Sequence, residues 1–174
     1  MLYIVLNIKP NAHYEPLGLI LLRHLCDRLT IASSHYHITY CYDETPPTRQ
    51  DERAPLRDRR RAALERLFKT CPGVGDSGPA IIGMGKYACE MLFGKGIPKN
   101  RVGTRWRMLQ TESAILAGEP PRHAWYTYDP SGALYDPNLC VDISAVLYNA
   151  AKESGITPKP NPKTPNKFPW NKLA

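Results

Sequence analysis

The sequence has no apolar run approaching the roughly 18 residues that span a bilayer. The short apolar run at residues 2–6 lacks the anatomy of a signal peptide. A membrane anchor and a secretory leader are therefore not expected, and a cytoplasmic location is. The five cysteines (Cys26, Cys41, Cys71, Cys89, Cys140) are odd in number and scattered, with no C-x-x-C pair. That spacing argues against a disulfide scaffold and against a zinc module, and predicts reduced, buried thiols. A complete Gly-rich nucleotide fingerprint is also missing around Gly83-x-Gly85. Asp43, Glu44, Asp51 and Glu52 fall in a Pro-rich loop and read as solvated acids, so no metal site is expected. Acidic residues are in deficit: 16 Asp and Glu face 23 Lys and Arg, for a formal net charge of +7 and a pI near 9.2. That excess favours a polyanionic partner.

What is present is an alternation of strand and helix patterns. Residues 2–6 read as a buried parallel strand, and Asn7-Ile8-Lys9-Pro10-Asn11 turns the chain after it. Residues 17–29 place Leu17, Ile20, Leu21, Leu25 and Leu29 at helical spacing. Residues 36–42 are aromatic and β-branched, a second strand, and 43–54 form a polar loop. A basic helix over 56–68 carries Arg57, Arg59, Arg60, Arg61 and Arg66. A Gly/Pro-rich connection at 72–79 leads to a third strand at 80–84 and a helix at 85–93 closed by Gly94. Residues 95–108 are basic and carry Trp106, 123–128 form a fourth strand, and a last helix runs from about Asn138 to Glu153.

Strands separated by helices predict an α/β fold, a three-layer α/β/α sandwich with a mainly parallel four-stranded sheet, over residues 1–154. Residues 155–174 hold five prolines, four lysines and no acid. They predict an extended tail outside the core, with Phe168-Pro169-Trp170 as an anchor for a replication or repair protein.

Tyr126-Thr127-Tyr128-Asp129-Pro130-Ser131-Gly132-Ala133-Leu134 resembles the second signature of the uracil-DNA glycosylase superfamily, T-x-H-P-S/A-x-x-L. Asp129 stands at the His position, while Pro130, Ser131 and Leu134 are kept. Further motifs follow in the order of the small, bacterial-type members. The 7–11 turn occupies the place of G-E-A-P-G, Pro16-Leu17-Gly18 resembles P-F-x-G, and Ile38-Thr39-Tyr40 resembles I-T-N. Residues 82–88 with Leu92-Phe93-Gly94 resemble A-L-G-x-x-A-A-x-x-L-L-G. The correspondence covers about residues 2–152.

The resemblance implies a base pocket formed by Ile8, Pro10, Leu17 and Tyr40, with Lys9 and Asp129 at the catalytic positions. It also implies an altered chemistry. Ile8 or Lys9 replaces the group that activates water, and a protonated Lys has no acceptor for a water proton. Leu17 replaces the stacking aromatic, and Tyr40 the Asn that reads uracil. Asp129 in place of His would repel a departing uracil anion. Of the cysteines that hold an iron–sulfur cluster in some relatives, only Cys41 has a counterpart, so no cofactor is expected. The expectation is a DNA-binding protein without uracil excision, acting in replication or repair; some viral members of the superfamily serve as parts of a replication machine. The alternative is a glycosylase of altered base choice that uses Asp129 or Lys9. Phosphate contacts are expected from Arg57, Arg59, Arg60, Arg61, Lys99, Arg101 and Arg105. Ser131, Gly132 and Leu134 are expected to approach the duplex, with Leu134 as the wedge.

Overall fold

The computed structural model describes residues 1–8, 17–42, 53–96 and 99–159. Strands β1 (Leu2–Ile8), β2 (Tyr36–Tyr42), β3 (Ala80–Met84), β4 (Arg105–Arg107) and β5 (His123–Thr127) form one sheet in the order β2-β1-β3-β5-β4. The first three and β5 are mutually parallel, with Leu2 opposite both Tyr36 and Ala80, and Ile82 opposite Trp125. The sheet therefore has five strands where four were expected. The extra one, β4, is an antiparallel edge strand that pairs Arg105 with Trp125 and Arg107 with His123. It is three residues long and two of them are arginines, so no apolar run announces it. Its strand conformation comes from pairing with the open edge of β5.

Among the described residues the α-helices are α1 (Leu17–Arg28), α2 (Arg53–Thr70), α3 (Lys86–Phe93), α4 (Glu112–Leu116) and α5 (Leu139–Glu153). The basic helix α2 begins three residues earlier than the apolar pattern suggests. Pro55 is tolerated there, because first-turn N–H groups have no intrahelical partner to lose.

Alternation along the buried strands sorts the core into two halves. Leu2, Ile4 and Leu6 of β1 point with Ala80, Ile82 and Met84 toward α1 and α5, where Leu21, Leu25, Ile143 and Leu147 are buried. Tyr3, Val5 and Ile81 point the other way, against Ala63, Leu64 and Leu67 of α2 and Ala88 and Leu92 of α3. The result is a three-layer α/β sandwich with helices on both faces. After α5 the chain stays attached: the Lys159 N–H donates to the Leu29 carbonyl at 3.0 Å and Pro158 is buried. Residues 155–159 thus pack on the domain. The rest of the Pro/Lys-rich segment, with Phe168 and Trp170, lies outside the described residues.

The connection at 72–79 is held by Arg122, which is only 6% exposed. Its guanidinium donates to the carbonyls of Cys71 (3.5 Å), Gly73 (3.5 Å) and Pro79 (3.2 Å) and to the Cys71 sulfur (3.2 Å). It also lies over the Phe68 ring, 5.7 Å from the centroid. Three carbonyls and a sulfur thus serve as acceptors for a buried cation.

Candidate functional site

In an open parallel sheet, ligands bind beyond the carboxyl ends of the strands, where the strand order reverses. Here that point lies between β1 and β3, since β1 is flanked by β2 on one side and β3 on the other. The side chain of Asn7, one residue before the end of β1, occupies it. Its carbonyl oxygen accepts the Tyr87 N–H at 3.0 Å and the Ala88 N–H at 3.1 Å. These are orphan donors of the first turn of α3, whose own N-cap, Gly85, has no side chain to offer them. Gly85 sits at φ +99°, and a Cβ there would collide with the Asn7 amide. Only glycine combines that backbone with that neighbour.

With its oxygen committed to α3, Asn7 turns its amide nitrogen to Asp129, donating to Oδ2 at 2.7 Å. The other carboxylate oxygen, Oδ1, accepts from the Ser131 N–H at 2.8 Å and the Ser131 hydroxyl at 2.7 Å. Asp129 is thus the N-cap of a 3₁₀ turn, Pro130–Leu134, with Pro130 at its first position. Gly18, at the start of α1, packs so closely on this turn that a Cβ would lie 2.8 Å from the Ser131 nitrogen. Three segments far apart in sequence (the end of β1, the start of α1 and the turn after β5) therefore meet at one edge of the sheet. The Thr127 hydroxyl beside them is buried and has no hydrogen-bond partner among the described residues.

The expected site residues divide clearly. Lys9 and Pro10 lie outside the described residues, so the pairing of Lys9 with Asp129 has no geometry here. Ile8 ends β1 opposite Tyr42. Leu17 is exposed at the first position of α1. Tyr40 is half-buried and packs against the α1 side of the core, where burial raises its pKa and Arg23 partly offsets the rise. Asn7, which sequence reasoning treated only as part of a turn, is the residue that touches Asp129. The available signal was a lone amide closing an otherwise apolar strand.

Leu134, the expected wedge, is partly buried and packs against the core shared by α1 and α5. The side chain that projects from this turn is the next one, Tyr135, at 91% exposure. Its backbone is fixed by hydrogen bonds from the Tyr135 and Asp136 N–H groups to the Gly132 carbonyl, both 3.1 Å. Gly132 is half-buried and faces Leu139, while Ser131 is exposed but holds Asp129.

The cationic residues do not form one surface. Arg57, Arg59 and Arg61 are exposed on α2, and Arg60 is paired with Glu90 of α3 at 3.3 Å. Arg101 is exposed in the 3₁₀ turn Lys99–Arg101. Arg105, expected among the phosphate contacts, bridges Asp76 and Glu153, both at 3.3 Å, on the α5 face and away from α2. Asp76 also accepts the His123 backbone N–H and pairs with its ring Nδ1, both at 2.8 Å. Burial alone would raise the Asp76 pKa. The His123 contacts and the Arg105 charge outweigh it and hold the carboxyl below the ordinary value.

The five cysteines are buried and none is in a disulfide, as the spacing predicted. Burial pushes Cys26 and Cys41 up to about 12, with Asp27 and Glu90 adding to the rise. Among the described residues no cluster of metal-ligating side chains occurs, and no helix is long and apolar enough to cross a membrane. No protein-family model matches the chain, and no curated protein matches it.

Proposed function

We propose that this chain is a DNA-binding protein of uracil-DNA glycosylase-like architecture that does not excise uracil and that acts in replication or repair. The observation that carries the reading is the meeting of the Asn7, Gly18 and Asp129–Ser131 segments at the switch point of the sheet. Those are three of the segments whose order resembles the glycosylase motifs, and ligand sites of such sheets lie at that edge. The excess of basic residues and the exposed Arg57, Arg59 and Arg61 supply the phosphate-facing charge.

The reaction is absent on this reading for a local reason. Asp129 receives three donors and holds the turn to β1, so its carboxylate is engaged in structure. It also carries negative charge where a departing uracil anion would need stabilisation. A binding assay on short duplex and single-stranded oligonucleotides at about 50 mM salt, with a uracil-release assay on the same strands, tests both halves. Binding with no uracil release is expected. Release with turnover overturns the loss of activity, and absence of binding overturns the DNA reading.

A further inference from the structure

We propose that the groove between α2, α3 and residues 109–116 is a docking site for another protein, taking a segment that combines acidic residues with large apolar ones. The groove has a volume of about 710 Å³, within the range of roughly 300–1,000 Å³ in which ligand clefts fall. One wall is α2, which contributes Arg57 and Arg61, one helical turn apart on the same side. The other is the segment holding Leu109, Ile115 and Leu116, which are 44%, 62% and 82% exposed. Eight large hydrophobic side chains are exposed among the described residues, and three of them converge here. Scattered exposed apolar residues are ordinary, whereas a cluster rimmed by charge marks an interaction surface.

Charge decides the occupant. The groove is lined by Arg57, Arg60 and Arg61 and by Glu65, Glu90 and Glu112, so its charge is set by where these lie along it, and the amino-terminal end of α2 adds its partial positive charge. Arg60 is neutralised by Glu90 at the base of the groove. Glu65 lies a further turn beyond Arg61, and Glu112 lines the α4 side, so the positive end of the groove is the one next to Arg57. An acidic side chain fits at that end, with apolar side chains over Leu109, Ile115 and Leu116. Single-stranded DNA fits less well, because bases bind by stacking on aromatic rings and the lining residues include none. The chain's own carboxyl-terminal segment has the wrong charge, with four lysines and no acid over residues 155–174.

The probe is a library of short random peptides displayed on phage, selected on the full chain and counter-selected on the double variant Ile115→Asp/Leu116→Asp. Both positions are exposed, so the variant keeps its core. Selected peptides are expected to be rich in Asp and Glu around two or more large apolar residues. The leading peptide, labelled and titrated, should lose affinity about 30-fold on the double variant, the scale of losing an anchor residue. On Arg57→Glu/Arg61→Glu the acidic peptide should weaken, and its Glu-to-Lys analogue should bind in its place. The proposal is overturned if no peptide survives counter-selection, or if the selected peptides are basic. It is also overturned if charge reversal fails to exchange the two peptides, or if a peptide of residues 160–174 displaces the leading peptide. DNA binding by the uncharged variant Ile115→Ser/Leu116→Ser, which adds no carboxylate beside Arg57 and Arg61, should match that of the unaltered chain, which separates this site from the DNA reading.

Discussion

Replacing Asn7 by Ala removes three hydrogen bonds at once and should be among the most damaging changes a partly exposed residue here can undergo. The Tyr87 and Ala88 N–H groups lose their acceptor at the start of α3, and Asp129 loses its donor from β1. A neutral hydrogen bond contributes about 1 kcal/mol net and one to a charged group about 1.5–3 kcal/mol. Allowing for partial access of water to the edge, the expected loss is about 2–4 kcal/mol. With a urea slope of about 2 kcal/mol per molar, the unfolding midpoint should fall by about 1–2 M, at unchanged slope. Asn7→Asp isolates the second contact. It keeps an acceptor for α3 but sets a carboxylate against Asp129, so one of the two must hold a proton in the folded state. A carboxyl whose folded pKa is raised contributes stability below its unfolded pKa, near 3.9, and loses it as pH rises through the folded value. Asn7→Asp should therefore be much weaker than the unaltered protein at pH ~7 and recover toward it near pH ~4. A midpoint shift below about 0.3 M for Asn7→Ala, or an Asn7→Asp deficit that does not change with pH, would show that Asn7 does not tie the three loops together.

Asp76 makes the opposite pH signature. Its depressed pKa gives stability above the unfolded value near 3.8 that is lost as pH falls through the lower folded value, so Asp76→Asn should flatten the acid limb of the unfolding curve; an unchanged acid limb refutes the assignment. Cys26 and Cys41 should resist a thiol reagent at pH ~8 in the folded protein and react once it is unfolded, because burial holds both near 12; rapid labelling of the native chain contradicts this. Tyr135→Ala should weaken binding to a strand with unpaired bases by roughly 5- to 150-fold, the range of one lost base–aromatic stack, and Leu134→Ala should act through stability instead. Equal binding by the Tyr135 variant removes the ring from the DNA surface.

The sheet was legible where the residues declare it. β2 and β3 have the bounds that their β-branched and aromatic runs predict; β3 is buried throughout, while β2 is an edge strand in which only Cys41 is buried among the described side chains. β4 was hidden because an Arg-Trp-Arg edge strand takes its conformation from β5, a tertiary cause that local composition does not report. α4, five residues capped by the Thr111 hydroxyl, is too short to set up a periodic pattern. At the site, the turn after β5 was found by its Asp-Pro-Ser-Gly sequence. The exposure of Tyr135 beyond it was not legible, since it depends on a 3₁₀ turn of about three residues per turn that sets Leu134 partly against the core and leaves Tyr135 outside. Asn7 was overlooked because its role depends on a helix start 80 residues away, and a strand-ending amide has many local uses. The ion pairs of Arg105 were not legible because both of its carboxylate partners, Asp76 and Glu153, are distant in sequence.

The central claim is that this chain binds DNA through the exposed arginines of α2, and its most direct test is the salt dependence of duplex affinity. The dissociation constant should rise linearly on a log–log plot against salt concentration, with a slope of about 0.9 for each phosphate neutralised. Replacing Arg57, Arg59 and Arg61 together by Ala should lower that slope by about 2–3, while Arg105→Ala should leave it unchanged. A slope that stays the same in the triple variant, or a chain that shows no affinity for DNA at about 50 mM salt, would contradict the account.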